Sequence, residues 1–286
     1  MKISIIDKKD MTIRVENSTI KFEDFKLPFR LCDTLIISSN IKLNSKDLIK
    51  ISNSGIAIIF IDHFTYKSSI LISTNPKNAD LKQKQYEALA KRVEIAKDIV
   101  SKKIERHILN LKANGINMDI DPYFEKLNKC ENLQSILGIE GAFSREYFKH
   151  FFTLLPKRFH NFKRTKRPPL DPANALLSYF YTILYEIISI KLLSFGFDPS
   201  ISYLHTPFRN HKALSSDIVE LFRDRINQFV KTIIDNEIIT LQDFRKKGGV
   251  YLRFDGRKKL YQPLKDLWES IESQINSEIS TLRAML

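Results

Sequence analysis

The stretch Asp171–Ser194, which reads DPANALLSYFYTILYEIISIKLLS, decides the fold class of this chain. Its first two residues predict a helix start, because the aspartate can cap free backbone N–H groups and proline has the backbone angle of a first helical position. Gly196 and Pro199 predict where the helix ends. Since its side chains are apolar nearly all round, we expect the helix Pro172–Ser194 to run through the core of a helical domain.

Two charged residues in this stretch argue against a membrane span. Glu186 and Lys191 would each cost about 2.5 to 3.5 kcal/mol at the centre of a bilayer. The segment Met1–Asp10 has no apolar region behind a basic one, so no secretory signal is predicted. Cys32 and Cys130 lie far apart, which is typical of free thiols in a reducing compartment. We therefore expect a cytoplasmic protein.

The sequence on either side of the central helix predicts the rest of the architecture. Apolar residues with a helical period predict four more long helices: Leu81–Lys112, Asn132–Leu155, Leu214–Ile239 and Pro263–Leu282. The first 75 residues instead contain short runs rich in Ile, Val, Thr and Phe, which are typical of strands. The predicted strands are Lys2–Ile6, Thr12–Val15, Thr19–Glu23, Thr34–Ser38, Ile56–Ile61 and Ser68–Ile72.

Turns and breaks complete this prediction. Polar turns at residues 7–10 and 16–18 predict hairpins, and residues 44–53 predict a short helix capped by Ser45. The polar segment Asn75-Pro76-Lys77-Asn78 separates the strand pattern from the helical one. We therefore predict an α+β protein of two domains, a small β-rich domain over residues 1–75 and a larger all-α domain over residues 76–286.

The charge of the chain indicates a polyanionic partner. Among the 286 residues, 46 are Lys or Arg and 33 are Asp or Glu, which gives a net charge of +13. The β-rich domain holds +3 of this charge and the helical domain +10. No separate basic amphipathic helix is present, so we expect nucleic acid rather than a membrane surface as the partner. With eight glycines and no GxGxxG or GxxxxGK motif, glycine-cradled nucleotide sites are excluded.

Glu140 is a candidate site residue because it falls within an apolar helix face. It lies seven residues from both Leu133 and Tyr147, and a period of 3.6 places it about 20° from each. A carboxylate there must be paired, protonated or bound to a metal ion, and the alternative to a metal ligand is a buried salt bridge to an arginine. Gly138 and Gly141 weaken the same helix by about 1 kcal/mol each, which indicates close approach of a ligand to the backbone or tight helix packing.

Three more side chains could complete a metal site. His205 lies in a loop between Pro199 and Pro207, where it is either a ligand or an ordinary hydrogen-bonded histidine. Asp217 and Glu220, three residues apart, project from one helix face, although Asp-x-x-Glu after two serines is also typical of a capping box. Two or three carboxylates with one imidazole form an oxygen-rich site suited to Mg²⁺ or Mn²⁺.

Two basic segments are candidates for DNA binding, since Lys and Arg neutralise phosphates and aromatic rings can stack on bases. A solvated loop with spare charge is the alternative. In the first segment Phe159 and Phe162 alternate with the basic residues, and in the second Gly248 and Gly249 interrupt them. The candidates are Lys157, Arg158, Lys163, Arg164, Lys166 and Arg167 in the first segment, and Arg245, Lys246, Lys247, Arg257 and Lys258 in the second.

Together these segments resemble the CRISPR-associated protein one family, the integrase of CRISPR adaptation. Gly138-Ile139-Glu140-Gly141 is similar to the family's first metal-ligand helix, and the stretch from Arg164 to Tyr179 is similar to its proline-rich approach to the central helix. The histidine loop, the acidic helix and a C-terminal signature also match, with His205, Ser216-Asp217-Ile218-Val219-Glu220-Leu221-Phe222-Arg223 and Asp255-Gly256-Arg257-Lys258.

Two positions depart from the family pattern. Ser202 stands where a glycine usually precedes the histidine by three positions, which concerns the geometry of the ligand loop. The segment Lys103-Ile104-Glu105-Arg106-His107 stands in place of the family's Lys-Ile-x-Asn-Gln motif, which concerns helix packing more than chemistry.

The resemblance implies a function and a set of partners. It makes Glu140, His205 and Glu220 ligands of Mg²⁺ or Mn²⁺ and Asp217 an auxiliary catalytic acid in the helical, catalytic domain. The implied reaction is a transesterification in which a 3′-hydroxyl of spacer DNA attacks the CRISPR repeat, and water in its place gives an endonuclease. The resemblance further implies a homodimer formed through the β domains and a small ferredoxin-like adaptation protein that bridges two dimers. The alternatives are a catalytically silent DNA-binding scaffold and a purely structural interaction protein.

Overall fold

The computed structural model of the chain describes residues 2–62, 65, 67–73, 79–209 and 211–286. Strands occupy the N-terminal part and helices most of the remainder, which confirms the predicted α+β class. The predicted boundary segment Asn75-Pro76-Lys77-Asn78 lies outside the described residues, so the division at residue 76 stays a prediction.

The strands of the N-terminal part form two four-stranded sheets, ordered β1-β5-β7-β8 and β4-β3-β2-β6, and a later two-stranded hairpin pairs β9 with β10. Because side chains alternate along a strand, the first sheet buries both faces. Leu35 and Ile37 pack against the second sheet, whereas Ile36 and Ile59 join the core of the helices. The strands are β1 Ile3–Ile6, β2 Met11–Glu16, β3 Thr19–Lys21, β4 Lys26–Pro28, β5 Thr34–Ile37, β6 Ile41–Leu43, β7 Ala57–Ile61, β8 Ser68–Leu71, β9 Phe244–Lys246 and β10 Val250–Leu252.

The local predictions for this region are partly confirmed. The hairpin at residues 16–18 joins β2 to β3, with Asn17 and Ser18 at positive φ as a tight turn requires. The hairpin predicted at residues 7–10 is wrong, because β1 and β2 belong to different sheets. The predicted cap by Ser45 is also wrong: Asn44 caps the short helix by accepting the backbone N–H of Asp47 at 2.8 Å. Strands β4 and β6 were not predicted, since each has only three residues.

The helices fill the rest of the described chain. The predicted helix Leu81–Lys112 is divided by a 3₁₀ turn at Ala88–Lys91, and the predicted helix Leu214–Ile239 is divided at Leu221 and Phe222. Neither break contains Gly or Pro, so packing rather than local sequence sets it. The helices are α1 Ser45–Asn53, α2 Ala79–Glu87, α3 Arg92–Ala113, α4 Asp121–Asn128, α5 Leu133–Thr153, α6 Pro172–Ser194, α7 Ala213–Glu220, α8 Arg223–Asp235, α9 Phe254–Lys259 and α10 Tyr261–Met285.

Helix α6 has the predicted bounds and lies in the core. Asp171 caps it by accepting the backbone N–H of Asn174 at 2.8 Å, and Pro172 is its first residue. The helix is long and apolar enough to cross a membrane, but 67% of its most apolar window is buried inside the protein. This burial is typical of the core helix of a soluble protein. Helices α3, α5, α7 and α8 surround it and carry the site described next.

Candidate active site

Four elements bring the predicted ligands to one place. Glu140 comes from α5, Glu220 from the end of α7, and His205 from the loop between α6 and α7. The Nε2 atom of His205 lies 3.9 Å from Oε1 of Glu220. Lys103 of α3 links the two carboxylates, because its ammonium bonds Oε1 of Glu140 and lies 2.6 Å from Oε2 of Glu220. The structure therefore places Glu140, His205 and Glu220 around one point.

Glu140 lies at the edge of the apolar face rather than inside it. Its side chain is 20% exposed, and its charged partner is Lys103 instead of the arginine that the sequence suggested. The hydroxyl of Ser144, one turn further along α5, donates to the same Oε1 atom at 2.7 Å. The predicted close packing at the two glycines is absent: a Cβ at Gly138 would meet no described atom within 4 Å, and one at Gly141 would meet only Arg145. This side of α5 is open toward solvent.

Asp217 holds the histidine loop in place. It is fully buried, and its two oxygens accept the backbone N–H groups of Tyr203, Leu204 and His205 at 2.8 to 3.0 Å. Oδ1 also lies 2.8 Å from Nδ1 of His205. Since a carboxylate only accepts, Nδ1 carries a proton, and in the neutral ring Nε2 is left as the unprotonated nitrogen facing Glu220. Asp217 is thus a positioning residue for His205.

The capping-box alternative for Asp217 and Glu220 is wrong. Helix α7 begins at Ala213, so both carboxylates lie beyond its first turn, and the residue before it, Lys212, makes no side-chain cap. Ser202, the departure from the family pattern, donates its hydroxyl to the backbone oxygen of His205 at 2.5 Å. This bond closes the loop on the side opposite Asp217.

The charges of the site are strongly coupled. Burial alone would raise the pKa of Glu220, but Arg223, Lys103 and then His205 outweigh it and hold that pKa well below its usual range. Burial would lower the pKa of Lys103, yet Glu220 and Glu140 raise it. Burial would also lower the pKa of His205, and the hydrogen bond to Asp217 reverses this and raises it. The site is therefore a balanced set of charges around Glu220.

The donor set has the chemistry of a divalent metal site, but its carboxylates are engaged. Lys103 bonds both of them, and Nε of Arg223 lies 2.8 Å from Oε1 of Glu220. Within the described part of the chain, no group of three or more His, Cys, Asp or Glu side chains is arranged to hold an ion as it stands. Two carboxylates and an imidazole with an available Nε2 nevertheless match the ligands that Mg²⁺ and Mn²⁺ take. The residues fit such an ion once the ammonium has moved.

A basic cavity of about 600 Å³ adjoins the site. It shares Arg223 with the site, and the guanidinium of Arg223 lies over the ring of Tyr181, 4.5 Å from its centroid. Its lining includes Arg164, Lys166, Arg167, Tyr181, His211 and Arg223. Cations beside an aromatic ring can hold a phosphate and stack on a base, so this cavity suits a nucleotide of DNA.

The predicted DNA-binding residues differ in how far they reach solvent. Lys157, Arg158, Lys163, Lys166 and Arg167 are exposed in the first segment, as are Lys246, Lys247 and Lys258 in the second; Arg245 is half-buried. Arg164 is half-buried too, and it holds its own loop by donating to Asn174 and Ser178. Phe159 is buried as an anchor, whereas Phe162 is 52% exposed.

The prediction of Arg257 as a DNA-binding residue is wrong. Its side chain is 4% exposed, and its guanidinium forms two hydrogen bonds to Asp7, at 2.6 and 3.0 Å, and one to the backbone of Leu252. All of its charge is therefore used to join α9 to the end of β1. The charge count could not distinguish this buried pair from an exposed cation.

The two basic segments form one continuous surface. The backbone N–H of Val250 in β10 donates to the oxygen of Pro169 at 2.8 Å. A Cβ at Gly249 would lie 2.7 Å from Cβ of Pro168, so only glycine allows this approach. The β9–β10 hairpin and the proline-rich loop thus present Lys246, Lys247, Lys166 and Arg167 on one side of the molecule.

Sequence reasoning missed the basic residues of the site itself. Lys103 was noted only for helix packing, and Arg223 only as the end of a motif. A signal for Lys103 was present, since Ile99, Val100, Ile104 and His107 of α3 are buried around it. It is a charge within an apolar stripe, the same pattern that singled out Glu140.

Comparisons with known proteins follow the same lines. The family described as CRISPR associated protein Cas1 matches residues 2–266. A protein named CRISPR-associated endonuclease Cas1 1, from Thermodesulfovibrio yellowstonii, is 34% identical over 94% of this chain and 91% of its own length. A relative of similar name from Clostridium perfringens is 29% identical over 86% of this chain and 81% of its own.

Solved structures share the fold. A Cas1 protein from Thermotoga maritima superposes with a TM-score of 0.92 over 99% of this chain and 96% of its own, at 24% identity. A structure titled casposase bound to integration product gives a TM-score of 0.86 over 100% of this chain and 92% of its own, at 20% identity. At these identities the similarity shows the arrangement of strands and helices.

Proposed function

The chain belongs to the Cas1 family of CRISPR-associated proteins, and we propose that it is a nuclease of CRISPR adaptation that joins the 3′-hydroxyl ends of new spacer DNA to the CRISPR repeat. Its relatives are named CRISPR-associated endonucleases, which supports a nuclease. The casposase of the same fold was solved with an integration product, which supports strand joining as the form of that chemistry.

The observation that carries this proposal is the convergence of Glu140, His205 and Glu220 beside a basic surface. The three residues come from separate parts of the chain, and a merely structural cluster would not need an imidazole whose Nδ1 is fixed and whose Nε2 faces a carboxylate. The basic cavity begins at Arg223, which contacts Glu220 directly. DNA held in the cavity therefore lies next to the ligands.

Mg²⁺ or Mn²⁺ is the proposed cofactor, held by Glu140, His205 and Glu220. Such an ion supplies stabilisation of negative charge on a phosphate and a lowered pKa for the attacking hydroxyl. Asp217 keeps the proton of His205 on Nδ1, so that Nε2 is available as a ligand. Arg223 holds a phosphate of the DNA at the mouth of the basic cavity.

The reaction exchanges one phosphodiester for another. The 3′-oxygen of the spacer end forms a bond to phosphorus, and the bond from phosphorus to the 3′-oxygen of the repeat strand breaks. The attacking hydroxyl loses a proton and the departing oxygen gains one. Water in place of the hydroxyl gives hydrolysis, the activity of an endonuclease. The number of phosphodiester bonds is unchanged in the joining reaction, so no nucleotide cofactor is required.

The proposed assembly is a homodimer that uses the β domains, with two dimers bridged by a small ferredoxin-like adaptation protein in the cytoplasm. The same fold occurs in a structure titled Cas6-RT-Cas1–Cas2 complex, where this chain covers 35% of the longer matching chain. That title supports a Cas protein as partner. The β domain offers two sheets but none of the site residues, which fits a role in assembly.

A strand-transfer assay tests the proposed function. Labelled DNA with free 3′ ends is incubated with a CRISPR repeat duplex, with Mn²⁺ or with EDTA, and joined products are separated by size. Wild-type protein should give joined product only with the metal, and Glu140→Gln should give none. Glu146→Gln is the matched control, because Glu146 lies on the same helix but pairs with the exposed Lys149. Binding of DNA without any metal-dependent product would favour the catalytically silent scaffold.

A further inference from the structure

Lys103 occupies the space between the two carboxylates. Its side chain is 3% exposed, and its ammonium is used by three acceptors: Glu140, Glu220 at 2.6 Å and the hydroxyl of Ser144 at 2.9 Å. An ammonium group has three N–H bonds, so its hydrogen-bonding capacity is filled. A buried lysine that is satisfied by acidic side chains is an internal cation of the site.

The position of this ammonium matters for metal binding. A divalent ion that Glu140 and Glu220 both coordinate must lie within reach of one oxygen of each, which is the region that Nζ of Lys103 now occupies. Two cations cannot share it without strong repulsion. The lysine side chain is a flexible four-carbon stem, and Ser144 gives the ammonium an acceptor that is not a ligand.

Lys103 also explains why the carboxylates stay together without a metal. Two carboxylates directed at one point repel each other, and a partly buried charge left without a partner is costly. The lysine neutralises this repulsion and keeps Glu140 and Glu220 directed at a common point. The same interaction that organises the site therefore competes with the ion for it.

We propose that Lys103 is an internal counter-cation, which holds Glu140 and Glu220 together in the metal-free protein and gives up at least one of them when a divalent ion binds. This inference rests on the proposed function, since it takes these residues as metal ligands. It makes Lys103 a positioning residue that sets the metal affinity of the site.

The inference predicts an unusual pair of effects for one substitution. Lys103→Met keeps the length of the side chain and removes the charge, so metal-free protein should melt at a lower temperature because the carboxylates then repel. Mn²⁺ should bind about 10-fold to 100-fold more tightly, since no charge-assisted hydrogen bond has to be broken first. A purely structural lysine would not raise metal affinity when it is removed.

The experiment measures Mn²⁺ binding by calorimetry, together with thermal unfolding in EDTA and in Mn²⁺, on the full-length protein. Lys102→Met is the matched control, because Lys102 is its neighbour on α3 but pairs with Asp98 and Glu278. Lys103→Gln is the second variant, which removes the charge and keeps a donor for Ser144 if the methionine variant fails to fold. Lys103→Arg keeps the charge and should stay near wild-type affinity.

The outcomes separate the two proposals. Tighter Mn²⁺ binding by Lys103→Met or Lys103→Gln, with unchanged affinity in Lys102→Met, supports the counter-cation role. Equal or weaker binding by both Lys103 variants, while wild-type protein binds Mn²⁺, overturns that role alone. Wild-type protein that binds no Mn²⁺ overturns the proposed metal site as well.

Discussion

Replacing Asp217 by asparagine tests how the histidine loop is held. The two oxygens of Asp217 accept four hydrogen bonds, from three consecutive backbone N–H groups and from Nδ1 of His205. An asparagine keeps only one oxygen, and its amide group turns two N–H donors toward the remaining two. If the amide faces Nδ1, it also forces the proton of His205 onto Nε2, where it blocks ligation.

The cost follows from the hydrogen bonds that the variant cannot make. A hydrogen bond to a charged group contributes about 1.5 to 3 kcal/mol, and the variant lacks two of them in a fully buried place. Allowing for relaxation of the loop, Asp217→Asn should lower the free energy of unfolding by about 3 kcal/mol. For a chain of this size, this corresponds to a fall in melting temperature of about 6 to 12 °C.

The assay is thermal unfolding in EDTA, with Mn²⁺ binding measured on the same samples. Asp224→Asn is the control: Asp224 is also buried, but its Oδ1 atom has no hydrogen-bond partner among the described residues, and burial raises the pKa of its carboxyl. This control should leave the melting temperature nearly unchanged. A fall no larger in Asp217→Asn than in Asp224→Asn, with Mn²⁺ affinity intact, would refute the reasoning.

Three further predictions concern other parts of the molecule. Burial and then Lys103 lower the pKa of His107 from its ordinary value of 6.5 to about 3, so the unfolded chain takes up a proton that the folded one does not. Stability should therefore fall by about 1.4 kcal/mol per pH unit below 6.5, and His107→Gln should remove this contribution from denaturant unfolding curves between pH 6 and 4; identical slopes would contradict it. Gly138→Ala should raise stability by about 1 kcal/mol, since its Cβ meets nothing and alanine favours a helix, and an unchanged or lower melting temperature would argue against an open space at this position. Neutralising Arg167 and Lys247 should reduce the slope of log affinity for DNA against log salt by about 0.9 for each phosphate that the protein no longer neutralises, whereas an unchanged slope in a binding titration would move the DNA path elsewhere.

Helix α6 and the ligand residues could be predicted because their signals are local. An aspartate followed by proline begins α6 and Gly196 follows its end, and the structure has the same bounds, Pro172–Ser194. Glu140 stood out because it interrupts an apolar repeat. The breaks at Ala88–Lys91 and at Leu221 could not be predicted, because packing of one helix on another causes them and no Gly or Pro marks them.

The remainder of the site depends on contacts between distant residues. Arg257 pairs with Asp7, 250 positions away, so its burial is invisible in a count of basic residues. The role of Asp217 required the path of the histidine loop, which returns three N–H groups to one carboxylate. Lys103 could have been found by the test applied to Glu140, but which acid it pairs with required the fold.

The most direct test of the metal-dependent account is a crystal structure of the protein with Mn²⁺, with the ion located by its anomalous scattering. The account predicts one peak about 2.1 Å from carboxylate oxygens of Glu140 and Glu220 and from Nε2 of His205, with the ammonium of Lys103 moved away from at least one carboxylate. A peak elsewhere, or no peak while Lys103 still joins Glu140 to Glu220, would contradict it.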